Sequence, residues 1–202
     1  MAQSRAASGV RGSWLLAGLA LPLLMAHAGS FDVAFDGDTL RPVVPDLHFL
    51  AGQPLERLKD ARTVVLLSQI TLLREDRVTP FRRTPQRFYL SYDIWDGRFK
   101  VTIPGATPES RPGLTAEQAE AWCMENMMVS ALGVPPDRDF WMRFDLRTAD
   151  PKDMASIVSD TGISVRALIE FFSRKTDGEP HWTMERRLRL ADLRRSPARR
   201  NW

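Results

Sequence analysis

Three histidines, a single cysteine and a few close carboxylate pairs are the side chains of this 202-residue sequence best suited to acid–base, metal or nucleophilic chemistry. His48 alternates with Asp46 and Leu50 on an extended segment, and His181 stands between Pro180 and Trp182. Together they could offer two imidazole nitrogens to a metal ion, or one could act as base for Cys123. Both chemistries need the residues to converge across the fold, and two independent histidines is the simpler expectation. Asp36 with Asp38, Asp93 with Asp96, Asp137 with Asp139, and Glu117 with Glu120 could hold calcium or divide acid and base roles. The three Asp pairs stand in or beside turns, where Asp bonds its own backbone. The two glutamates fall in the first turns of a helix, whose dipole favours negative charge. Cys123 lies among Trp122, Met124, Met127 and Met128, which reads as a buried, inert thiol. Dinucleotide, phosphate-loop, zinc-protease, nucleophile-elbow and dithiol signatures are absent, so no cofactor or metal is expected.

Arginines and tryptophans suggest contact rather than catalysis. Arg74, Arg77, Arg82, Arg83 and Arg87 flank the connection between two long strands, and Arg186, Arg187, Arg189, Arg194, Arg195, Arg199 and Arg200 crowd the C-terminus. Such clusters can meet anionic lipid or an acidic partner, or can form a solvated loop and a solubility tail. Trp95 and Trp141 each fall on the opposite side of their strand from its apolar residues, where an exposed ring would mark a partner or lipid contact. The candidate contact residues are accordingly Trp95, Trp141, Arg82, Arg83, Arg194 and Arg195.

The elements that must position these groups are mostly strands. Phe31 to Phe35 and Leu40 to Leu50 read as a hairpin around Asp36-Gly37-Asp38, with Pro42 and Pro45 pushing the second arm to an edge or to irregularity. Leu55 to Asp60 predicts a helical turn, and the apolar, β-branched run Thr63 to Leu73 a buried strand. Arg87 to Trp95 and Arg98 to Ile103 flank Asp96-Gly97, the signature of a two-residue type I′ hairpin, with Phe88, Leu90, Tyr92 and Ile94 sharing a face. Pro104 to Gly113 reads as a loop. Thr115 and Gln118 have capping-box spacing for a helix stopped at Gly133. Phe140 to Arg147 alternates apolar-in and charged-out, Ser164 to Lys175 predicts a second amphipathic helix, and Trp182 to Leu190 a last strand. The sum is an α+β domain on a mainly antiparallel sheet, a sandwich or a partly closed barrel with two inserted helices.

At the predicted hairpin and beyond it, the strand Arg87 to Tyr92, the run Phe99-Lys100-Val101-Thr102, the Thr115 helix and the Phe140 to Arg147 strand resemble an uncharacterised family of exported bacterial proteins, a domain of unknown function. The resemblance covers about residues 31–148 and the last strand; Asp150 to Pro180 fits it less well. It implies export and a β-rich domain, and brings no activity or catalytic residue. Members often lie near a sensor-kinase pair, which would suit envelope signalling.

Export is also readable from the residues. Arg5 and Arg11 precede the apolar run Trp14 to Met25 and then Ala26-His27-Ala28, the plan of a signal peptide over residues 1–28. The run falls short of the ~20 apolar residues a membrane span needs. Removing it leaves 29–192 as one domain with a basic tail at 193–202, and lowers the formal charge from +3 to +1. With one cysteine, no internal disulfide can form in the oxidising, periplasmic or otherwise exported location expected. The functional expectation is a non-enzymatic envelope domain binding a protein partner or an apolar ligand. The alternatives are a hydrolase or metal-dependent enzyme with dispersed catalytic residues, and a peripheral binder of anionic membrane through the Arg-rich C-terminus. Export makes nucleic acid an unexpected partner.

Overall fold

A computed structural model describes residues 31–149, 158–159, 162–163, 170–172 and 180–195. The expected signal segment and residues 196–202 lie outside them, as does the predicted Ser164 to Lys175 helix apart from 170–172, which are helical. In chain order the elements are β1 (Asp32–Phe35), β2 (Thr39–Val43), α1 (Gln53–Lys59), β3 (Val64–Leu73), β4 (Pro80–Asp93), β5 (Arg98–Ile103), β6 (Glu109–Leu114), α2 (Ala116–Glu125), β7 (Val129–Ser130), β8 (Asp139–Ala149), β9 (Val158–Ser159), β10 (Gly162–Ile163) and β11 (His181–Arg189). A short 3₁₀ turn, Leu190–Asp192, follows.

Pairing throughout these sheets is antiparallel, giving an α+β, β-rich architecture. The main sheet runs β11-β8-β3-β4-β5-β6 and does not close into a barrel; β1-β2-β7 form a smaller one. Every residue of β3 is buried, because β4 and β8 flank it and both of its faces are covered. Its inner face (Val64, Leu66, Ile70, Leu72) joins Phe88, Phe140, Met142, Phe144 and Leu146 beneath the small sheet and α2. On the outer face Val65, Leu67 and Ala149 pack with Tyr89, Phe171 and Phe172. The inward set predicted for β8 is therefore correct. Its other face departs from the expected exposure: Asp145 and Arg147 are buried, Arg147 to 1 % exposure. The Arg147 guanidinium donates to the Phe171 carbonyl and lies over that ring, which shields it from water.

Several boundaries move for physical reasons. β2 ends at Val43 rather than near Leu50, and it lies between β1 and β7 rather than at an edge. Pro42 is tolerated because β7 reaches only Thr39 and Leu40, leaving the Pro42 nitrogen no partner to satisfy on that side. In the β4–β5 hairpin Asp93 pairs with Arg98, so the loop has four residues, not two. The Asp93 carboxylate accepts from the Trp95 and Asp96 amides, and only Gly97 needs the left-handed region (φ 64°). Ile94 and Trp95 consequently leave the strand, and Ile94 is exposed rather than on the inner face. The stretch expected as a loop before α2 contains β6, whose Pro112 and Gly113 occupy a register shift against β5. Thr115 and Gln118 form the predicted capping box. The helix nevertheless stops at Asn126, whose side chain donates to the Trp122 carbonyl, while Gly133 (φ 77°) serves a later turn.

Candidate functional site

Ala116, Ala119, Glu120, Cys123 and Met127 recur at three- and four-residue spacing, so α2 and the turn after it turn Glu120 toward the core. Glu120 is 7 % exposed. Its carboxylate has two partners from the segment after β2: Oε1 accepts the Leu50 amide at 2.6 Å, and Oε2 lies 3.1 Å from His48 Nδ1. A carboxylate that fixes one imidazole nitrogen sets the ring's orientation and leaves Nε2 as the available acid–base or hydrogen-bonding atom. His48 is otherwise exposed and has no Nε2 partner among the described residues.

The imidazole borders a groove of about 580 Å³ between β2 and α2. Pro42, Val43, Val44, Leu47, Ala121 and Met124 make its apolar walls; Arg41, Glu117 and Glu125 join His48 and Glu120 as its polar groups. Its size and its few oriented polar groups among apolar walls match a small-molecule site. Cys123 is near Glu120 on α2 but fully buried, and burial first, then the Glu120 charge, pushes its thiol far above the usual range. It cannot serve as a thiolate nucleophile beside His48.

His181 lies on the other side of the main sheet, so the two histidines do not converge. Thr183 Oγ1 donates to Asp145 Oδ1 at 2.8 Å and lies 3.1 Å from His181 Nε2. Burial raises the Asp145 carboxyl against the opposing Thr183 hydrogen bond, and burial followed by the Arg147 charge lowers the His181 imidazole. Between 3.8 and its raised native value Asp145 binds more proton folded than unfolded, so this group's contribution to stability falls as pH rises through that window. For His181 the unfolded chain binds more proton below 6.5, and stability rises with pH there. Asp145→Asn, which keeps an oxygen for Thr183, is expected to be more stable than the parent at neutral pH and to lose that advantage near about pH 3. Urea titrations at the two pH values measure this; a variant weaker than the parent at neutral pH would show that the ionised carboxylate's bonds outweigh its desolvation.

The other predicted residues are dispersed. Trp95, at the hairpin tip, is 90 % exposed. Trp141 is not the open ring expected: Arg77 stacks 4.1 Å above it while pairing with Glu185. Arg83 is exposed on the outer face, and Arg82 donates to the Leu132 carbonyl at 2.9 Å. Arg194 and Arg195 are exposed; Arg195 bridges Phe35 and rests beside Gly37. Three arginines of the basic C-terminus serve the fold itself, Arg186 pairing with Asp32 and Arg187 and Arg189 with Asp139. The Asp36 and Asp93 carboxylates close their own turns, as their positions predict. Among the described residues no group of three or more His, Cys, Asp or Glu side chains is placed to hold a metal ion. The His48–Glu120 pair escapes sequence reasoning, although a glutamate on the alanine- and cysteine-bearing stripe of α2 was its available signal.

This fold and groove define an α+β, β-rich architecture with a small-molecule-sized groove. No family model, no curated protein and no solved structure matches the chain. None of the helices among the described residues is long and apolar enough to cross a membrane.

Proposed function

We propose that the chain is an exported, non-enzymatic envelope domain that binds an apolar ligand in the groove between β2 and α2. The observation that carries this reading is the oriented His48 imidazole beside the apolar walls of the groove. The apolar walls would hold the ligand's body, and His48 Nε2 its polar head. Export rests on the Arg5 to Ala28 pattern, and the resemblance to an exported family agrees with it. Native mass spectrometry of protein recovered from the exported compartment tests both parts. The expected mass is that of residues 29–202 with a stoichiometric apolar adduct, and Met124→Arg, which places a charge on the groove wall, should lose the adduct. Identical spectra from the parent and the variant would overturn the ligand reading.

The same pair favours a second reading, a hydrolase in which His48 is the general base and Glu120 its orienting carboxylate. Turnover abolished by His48→Ala with the fold intact would establish it in place of the first.

A further inference from the structure

A second cleft, about 740 Å³, opens on the far side of the small sheet's last turn, between the β3–β4 connection and the segment leading into β8. Arg74, Arg82 and Arg138 line it, over a floor made by Phe81 and Phe140, whose rings meet edge to face at 6.3 Å. Two of the three carboxylates that line the cleft are committed elsewhere. Asp139 carries the ion pairs to Arg187 and Arg189, and Asp76 accepts from the Val78 and Thr79 amides and the Thr79 hydroxyl of its own turn. Glu75 alone among these acids has no such role.

Arg82 is held in place by its bond to Leu132, and its buried Nε meets no acceptor among the described residues. Among the described residues Arg74 and Arg138 have no carboxylate partner within ion-pair distance. Buried guanidinium donors without acceptors are costly, and their fork geometry matches an oxyanion. The aromatic floor adds a surface for an apolar group beside that anion. We propose that this cleft binds a small ligand carrying a phosphate or carboxylate on an apolar body, with Arg82 and Arg138 as its anion clamp and Phe81 as its apolar contact.

Calorimetric titration of the purified protein with phenyl phosphate, with inorganic phosphate and anionic-lipid vesicles as parallel arms, tests the site. Phenyl phosphate should bind more tightly than inorganic phosphate. Arg138→Met, at an exposed position, should weaken phenyl phosphate binding about tenfold with the melting temperature unchanged. Arg82→Met should weaken it further, and also frees the Leu132 carbonyl, so Arg138→Met is the decisive variant. Vesicle binding with the same dependence on Arg138, in place of phenyl phosphate binding, would keep the site and assign its anion to a lipid headgroup. Absence of both up to about 10 mM, or affinity unmoved by either variant, would overturn the proposal.

Discussion

Alanine in place of Phe144 is expected to destabilise the protein by about 3–5 kcal/mol, the range for removing a fully buried aromatic ring. Phe144 is 0 % exposed at the middle of β8, opposite Ile70 on one neighbour and Met184 on the other. Its ring also meets Phe31, 6.4 Å away, just before β1, so the cavity would open where the two sheets touch. For a chain of this size the loss corresponds to roughly 6–20 °C in melting temperature. Urea unfolding measures it, with Trp95→Ser as a surface control expected within about 0.5 kcal/mol of the parent. A loss under about 1 kcal/mol for Phe144→Ala would mean that the sheets collapse into the space or do not pack there.

Glu120→Leu should cost about 1–3 kcal/mol, because the Leu50 amide then loses its buried acceptor. Glu120→Gln retains an oxygen for that amide and should cost clearly less. The His48 side of the pair is exposed, so a double-mutant cycle of His48→Ala with Glu120→Gln should give a coupling below about 1 kcal/mol. Equal losses for the Leu and Gln variants would show that the carboxylate's charge, not its acceptor for Leu50, holds the segment. The same variants separate architecture from function: Glu120→Gln leaves the groove walls in place while changing the group that orients His48.

Local chemistry made much of the fold legible. The unbroken apolar run of β3, the Thr115–Gln118 box and the inward residues of β8 each state their own conformation. β6 was hidden because Pro112 and Gly113 read as a break, yet an outermost strand with a register shift absorbs both. Alternation along β8 placed Asp145 and Arg147 correctly on the face away from Phe144 but carried no information on whether that face is covered. His48 and Glu120 stand on elements far apart in sequence, and only the packing of α2 against the segment after β2 makes them neighbours. The exposure of the candidate contacts was hidden for the same reason: Trp95, Arg83, Arg194 and Arg195 lie open, whereas Arg77 covers Trp141 and the Leu132 carbonyl holds Arg82.

Among the described residues the outermost strands of the main sheet are β6 and β11. The first is interrupted by a proline with no amide to offer and by the irregular geometry around Gly113; the second carries Arg186, Arg187 and Arg189 in close succession. A second molecule approaching either strand would meet a missing donor on β6, or long arginine side chains tied to Asp32 and Asp139 on β11, before it could continue the ladder. Protection against strand-by-strand polymerisation at these two strands is thus written into a proline that reads as part of a loop in the sequence and into arginines of the last predicted strand that read as a contact cluster.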